Sequence, residues 1–116
     1  MGGFRPGAAA VLGLLVGVAA GVPGALGADK PVFALEIREH RFVPESLEVP
    51  AGSRFVLLVR NRDATDEEFE SFELNREVIV PAQGGAKIYL GPLEPGTYPF
   101  FGEFNKASAQ GTLIAK

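Results

Sequence analysis

The segment Pro95-Gly96-Thr97-Tyr98-Pro99-Phe100 carries the fold prediction, because it joins a turn to the start of a strand. Two prolines hold the turn over residues 92–96, and we predict a strand over residues 97–104. Upstream, residues 33–38 alternate apolar and polar side chains, which is the period of a half-buried strand. Residues 54–60 form a nearly continuous apolar run, which is typical of a strand buried on both faces.

The remaining short apolar stretches complete an all-β pattern. No segment has a helical period, and Gly- and Pro-containing turns separate the stretches. Further strands are predicted at residues 47–49, 69–74, 78–80, 87–90 and 111–115, with a polar, acidic loop at residues 61–68. Seven to eight short strands in about ninety residues indicate an antiparallel Greek-key β-sandwich.

The N-terminal stretch is typical of a secretory signal peptide. It has one charge, Arg5, then an apolar run over residues 8–20, with small residues Ala25 and Gly27 before a cleavage point. An uncleaved anchor is the alternative, since such a run could barely span a bilayer; Pro23 and the lack of a following charge cluster favour cleavage. We therefore expect residues 1–27 to be a signal peptide, and residues 28–116 to be a periplasmic domain.

Composition excludes several classes of function. The chain has no cysteine, which excludes disulfides and any thiolate-bound metal. The chain has 11 Lys and Arg residues and 14 Asp and Glu residues, and only Arg5 of these precedes residue 28. The mature part is therefore acidic, which argues against nucleic acid as a partner. One histidine, with no motif around any serine, gives no support for nucleophilic catalysis.

The order of several motifs resembles the cupredoxin family. Pro95-Gly96-Thr97-Tyr98-Pro99-Phe100 is similar to the entry into the penultimate strand of that fold. Phe42-Val43-Pro44 and Leu47-Glu48-Val49-Pro50-Ala51-Gly52 resemble its second strand and turn. Asn61-Arg62-Asp63, followed by Glu70-Ser71-Phe72-Glu73-Leu74, resembles the segment that carries the first copper histidine. The resemblance implies a cupredoxin-like sandwich.

The residues at the expected copper positions do not suit a blue-copper centre. Such a centre needs a Cys thiolate, two His and a weak axial Met. Carried over by the resemblance, Glu70 and Asn105 take the two His positions, Gly102 takes the Cys position, and Gln110 lies near the Met position. We therefore expect no blue-copper electron transfer.

A closer resemblance is to the cupredoxin-like proteins of bacterial iron uptake, the EfeO-type domain and the small periplasmic partner of iron permeases. It rests on Asp66-Glu67-Glu68-Phe69-Glu70-Ser71, Arg76-Glu77-Val78 and Phe101-Gly102-Glu103-Phe104. It implies an accessory of ferrous-iron uptake that binds a copper or iron ion and presents it to a membrane iron permease. A role in supporting iron oxidation is implied by the resemblance alone.

Four residues are candidate metal ligands: His40, Glu70, Glu103 and Asn105. In the resembled fold, the loop that leads into Phe42-Val43-Pro44 passes the same end of the sandwich as the ligand loops, which would bring His40 near Glu70. A lone exported histidine is, however, more often a surface residue. Glu70 holds a resembled ligand position, or is simply an outward carboxylate on a half-exposed strand. Glu103 lies between Phe101 and Phe104, where an unpaired carboxylate is costly.

Two further expectations follow. We assign Asp66-Glu67-Glu68 to a solvated loop that could collect cations weakly. The alternative to a metal-binding function is a metal-free cupredoxin-fold module, in which the ligand positions have decayed. In that case the aromatic end around Phe101 and Phe104 binds a partner protein.

Overall fold

A computed structural model of the chain describes residues 30–116. The predicted signal peptide, residues 1–27, lies outside the described residues. Pro31–Lys116 forms one compact unit. No helix of the described part is long and apolar enough to cross a membrane.

Nine strands make up the described part of the chain, and they form two sheets. The four-stranded sheet has the order β2-β1-β4-β7, and the five-stranded sheet has the order β3-β9-β8-β5-β6. The strands are β1 (Val32–Arg38), β2 (Arg41–Val43), β3 (Ser46–Val49), β4 (Phe55–Asn61), β5 (Glu67–Ser71), β6 (Arg76–Val80), β7 (Gly85–Leu90), β8 (Gly96–Gly102) and β9 (Gln110–Ala115). The predicted all-β sandwich is confirmed.

The sheets differ from a purely antiparallel sandwich in two places. β1 pairs with β4, and β3 pairs with β9, in parallel, while the remaining pairs are antiparallel. A parallel pair needs a long connection between its strands, and here the chain visits the other sheet before returning. The count of nine exceeds the predicted seven to eight. The short strand β2 includes Phe42 and Val43, which the resemblance assigned to the second strand and turn of the fold.

The core lies between the sheets and is centred on three phenylalanine rings. Phe42, Phe69 and Phe100 come from three different strands and are almost fully buried. The ring of Phe100 lies 5.0 Å from that of Phe42, edge to face, and 5.0 Å from that of Phe69, stacked. Burial of each such side chain stabilises the fold by about 1.5–3 kcal/mol. The cluster fixes β5 and β8 beside each other, which positions the residues described next.

Three of the predicted element boundaries that differ from the structure lie around this pair of strands. The predicted loop 61–68 ends earlier, because β5 begins at Glu67. The strand predicted over 69–74 ends at Ser71 and gives way to a turn. The strand predicted over 97–104 ends at Gly102, where a single 3₁₀ turn, Glu103–Asn105, begins. The two strands were predicted too long because the turns that follow them contain the aromatic residues Phe72 and Phe104.

Candidate functional site

Glu67 is the first residue of β5, and its carboxylate points into the protein. Side chains alternate along a strand, so Glu67 shares the inner face with Phe69 and Ser71, while Glu68 and Glu70 face outward. Glu67 is 1% exposed. The expectation that it lies in a solvated loop was therefore wrong.

The buried carboxylate is held by three N–H donors. The backbone N–H of Phe104 and that of Glu68 donate to its Oε1 at 2.9 and 3.0 Å. The Asn105 side chain donates from Nδ2 to its Oε2 at 2.7 Å. Burying a carboxylate is costly unless such bonds replace its hydration, and bonds to an ionised acceptor are stronger than neutral ones. Glu67 therefore fastens β5 to the 3₁₀ turn.

The carboxylate also occupies the space above Gly102. Gly102 lies opposite Phe69 in the β5–β8 ladder, and its N–H donates to the carbonyl oxygen of Ala109 at 2.8 Å. A Cβ atom on residue 102 would lie 2.6 Å from Cδ of Glu67 and 2.7 Å from Cβ of Ala109. These separations are well inside carbon–carbon contact distance. Glycine is the residue that leaves room for the carboxylate.

A second group of acidic side chains lies on the outer face of the five-stranded sheet. Glu68, Glu70 and Glu77 each offer a carboxylate oxygen, and these oxygens lie within 4.8 Å of one another. The register explains the meeting, because Glu70 of β5 lies directly opposite Glu77 of β6. Glu103 is near enough for its charge to raise the pKa of Glu70. We call Glu68, Glu70, Glu77 and Glu103 the outer carboxylate patch.

The carboxylates of the outer carboxylate patch repel one another, and a single lysine offsets this repulsion only in part. Partial desolvation, followed by the charges of Glu77 and Glu103, raises the pKa of Glu70. Desolvation and Glu77 also raise the pKa of Glu68. The nearby cation is Lys106, whose Nζ lies 3.6 Å from Glu103 and which acts to lower the pKa of Glu70. One lysine does not offset four carboxylates.

His40, the single histidine, lies in an exposed turn between β1 and β2. Its backbone has a φ of 58°. The Asp63 carboxylate accepts hydrogen bonds from the backbone N–H groups of Glu39 and His40 at 2.7 and 2.9 Å, which holds this turn. The imidazole Nδ1 lies 3.6 Å from Oδ2 of the same carboxylate. The His40 carbonyl oxygen accepts a hydrogen bond from Ser108 Oγ.

The four residues predicted as one metal site fall into three places. Glu70 and Glu103 lie together in the outer carboxylate patch. Asn105 contacts Glu67 on the inner side, and the imidazole of His40 lies beside Asp63. The resemblance placed Glu70 at the position beside Gly102 and Asn105, but the structure places Glu67 there. The reason is the two-residue period of β5, which turns Glu70 to the outer face.

Three acidic residues of these groups were missed as site residues. Glu67 and Glu68 were assigned to a loop, and Glu77 was not singled out. The sequence does carry one signal for Glu67. Side chains two residues apart share one face of a strand, so a strand that buries Phe69 also buries Glu67. The approach of Glu77 to Glu70 depends on hairpin register, which the sequence pattern leaves open.

A copper–thiolate centre does not fit these residues. The chain contains no cysteine and one histidine. The Glu67 carboxylate fills the space that a side chain at position 102 would need. Asn105 is already engaged as a hydrogen-bond donor to Glu67. The donors that such a centre requires are absent from the end of the sandwich where Gly102 and Asn105 lie.

Comparison with families and relatives points to one class of protein. A family model described as "Cupredoxin-like domain" matches residues 8–115. An uncharacterized protein of Rickettsia prowazekii (strain Madrid E) is 45% identical over 80 residues, a stretch that covers 69% of this chain. The chain spans 64% of the length of that relative.

Solved structures with the same fold share little sequence with the chain. Auracyanin A, a "blue" copper protein from Chloroflexus aurantiacus, superposes with a TM-score of 0.65 at 11% identity, covering 76% of this chain and 100% of that one. Amicyanin from Paracoccus versutus gives 0.58 at 17% identity, covering 82% and 85%. A chain of a heme-copper terminal oxidase gives 0.63 at 15%, covering 77% and 67%. The predicted cupredoxin-like sandwich is confirmed, and at these identities the likeness concerns the fold alone.

Proposed function

Because the chain belongs to the cupredoxin-like domain family, we propose that it is a periplasmic accessory of ferrous-iron uptake that binds an iron ion at the outer carboxylate patch. The observation that carries the proposal is the convergence of carboxylate oxygens from Glu68, Glu70 and Glu77 within 4.8 Å of one another. Glu103 adds a fourth carboxylate beside them.

The donor set favours iron over copper as the cargo. All the donors of the patch are carboxylate oxygens, which suit hard cations, whereas Cu(I) prefers sulfur and Cu(II) gains from imidazole. Desolvation, followed by mutual repulsion, raises the pKa of Glu68 and of Glu70, and a cation would relieve the repulsion. The patch faces outward on a sheet, so a bound ion would remain open to transfer.

The partner and the location in this proposal come from the resemblance to bacterial iron-uptake proteins. A periplasmic domain carrying Fe(II) would present it to a membrane iron permease. An acidic outer surface is consistent with carrying a cation to such a partner. The proposal concerns binding and presentation; support for iron oxidation rests on the resemblance.

Calorimetric titration of the purified protein with Fe(II) under anaerobic conditions, Fe(III) and Cu(II) tests the proposal. We expect one iron ion to bind, and we expect Glu70→Gln and Glu77→Gln each to weaken binding by about tenfold or more, since each removes an anionic ligand. Glu94→Gln is the matched control, because it removes one exposed carboxylate elsewhere on the surface. If the patch variants bind iron as tightly as the Glu94→Gln variant does, the patch is not the site.

A metal-free binding module is the second candidate function. It is favoured by two exposed aromatic side chains in the turns that follow β5 and β8, since Phe72 is 74% and Phe104 is 52% exposed. The Phe72 and Phe101 rings lie 5.5 Å apart, and Phe101 lies opposite Glu70 in the β5–β8 ladder, so this apolar surface adjoins the patch. Two results together would favour this function over metal carriage. The protein would bind none of the three ions, and it would bind the permease in a way that Phe104→Ser abolishes.

A further inference from the structure

Glu67 is the only charged side chain that is fully buried within residues 30–116. It forms no ion pair with any residue in that range. Its charge is instead met by the three N–H donors of Phe104, Glu68 and Asn105. A buried carboxylate is rare in proteins unless it is paired or performs a task. The contacts of the Glu67 carboxylate indicate which task it performs.

The carboxylate lies where three positions of the chain converge. It is bonded to the side chain of residue 105, and it occupies the volume that a side chain at residue 102 would fill. Residues 67, 102 and 105 belong to β5, the end of β8 and the 3₁₀ turn, which are separate in sequence. A group at their common centre holds all three segments together. By the resemblance, positions 102 and 105 would carry copper ligands in a blue-copper sandwich, so a bound ion there would join the same segments.

We propose that the Glu67 carboxylate is a built-in replacement for a metal ion at this end of the sandwich. It fastens β5 to the turn through Phe104 and Asn105, and it closes the position to metal by occupying the space above Gly102. This inference concerns the inner position and is independent of iron binding at the outer carboxylate patch.

The stabilising half of the proposal is tested by urea unfolding of Glu67→Gln and Glu67→Ala, with Glu94→Gln as the control for loss of one negative charge. We expect the unfolding equilibrium constant to rise by about 10- to 100-fold for Glu67→Ala, because buried donors lose an ionised acceptor. Glu67→Gln should fall between Glu67→Ala and the parent, since its amide keeps one acceptor oxygen. Hydrogen exchange of the Phe104 amide should accelerate in both. If both variants match Glu94→Gln in stability and in this exchange rate, Glu67 does not fasten the turn.

The closing half is tested with copper. Gly102→Cys combined with Asn105→His supplies a thiolate and an imidazole but leaves the Glu67 carboxylate in place. We expect this double variant to show no intense Cu(II)–thiolate absorption, since the new Cβ would overlap Cδ of Glu67. Adding Glu67→His removes the carboxylate and supplies a second imidazole, and we expect the band to appear.

Each copper result decides the proposal. A band of equal intensity in the double and triple variants would show that Glu67 does not close the position. A folded triple variant without the band would show that removing the Glu67 carboxylate does not open the position, so that Glu67 is not the group that closes it. If the triple variant does not fold, the urea measurements on the single variants still decide whether Glu67 acts as the replacement.

Discussion

Replacement of Gly102 by alanine should destabilise the protein, because the added methyl would overlap two neighbouring side chains, Glu67 and Ala109. Gly102 has φ −95° and ψ 115°, an extended conformation open to any residue, so its backbone gives no reason for glycine. The added methyl would lie 2.6 Å from Cδ of Glu67 and 2.7 Å from Cβ of Ala109, where carbon atoms normally stay about 3.5–4.0 Å apart. Overpacking of this kind costs about 1–3 kcal/mol.

Thermal and urea unfolding measure that cost directly. A loss of about 2 kcal/mol lowers the Tm of a domain of 60–100 residues by about 8–16 °C. Gly96→Ala is the matched control in the same strand, because the nearest atom to its added methyl would be 3.8 Å away. That change should stay within about 0.5 kcal/mol. Combining Gly102→Ala with Glu67→Ala should cost less than the sum of the two, since the smaller side chain makes room. Equal effects of Gly102→Ala and Gly96→Ala would refute the reasoning.

Three further changes test other contacts. Gly111→Ala should cost about 1–3 kcal/mol in urea unfolding, because its methyl would lie 2.5 Å from ring carbons of Phe100. Asn61→Ala should cost about 1–3 kcal/mol of stability, since the buried side-chain N–H group donates to the carbonyl oxygens of Thr65 and Val80 at 2.9 and 3.0 Å. Asn61→Asp should not restore these two hydrogen bonds, because a carboxylate has no N–H donor. The pKa of Glu70 is raised in the folded protein, so protonation favours folding and this residue lowers stability as pH rises through that pKa. Glu70→Gln should therefore raise stability most above that pH and little below it, and a uniform gain across the titration would contradict this.

The pattern of alternating side chains predicted most of the sheet but not its pairing. The apolar run within β4 and the alternation within β1 were enough to place both strands. Their parallel pairing was not predictable, because it depends on where the chain goes between them rather than on either strand. The turn chemistry around residue 95 likewise predicted where β8 begins but not where it ends.

The acidic run before Phe69 shows why the sequence did not predict the burial of Glu67. Carboxylates are seldom buried, so composition favoured a solvated loop. Burial of Glu67 becomes possible only through donors near residue 105, which lie 37 and 38 positions away in the sequence. The sequence predicts Glu70 and Glu103 as ligands, and the two do interact, but the approach of Glu70 to Glu77 follows from the register of the β5–β6 hairpin. Local patterns do not contain that register.

The two groups of glutamates place opposite demands on a cation, although they are adjacent along one strand. Glu67 receives three hydrogen bonds and has no need of a counter-ion, so a metal entering its position would have to displace bonds that already satisfy the carboxylate. Glu68 and Glu70, one and three residues later, are held against other carboxylates, and a cation placed among them would lower a repulsion that the fold itself creates. Hydrogen-bond supply, rather than acidity, therefore separates the two faces of β5. For this reason the inner carboxylate of Glu67 has a structural role, whereas we propose that the outer carboxylates bind a metal ion.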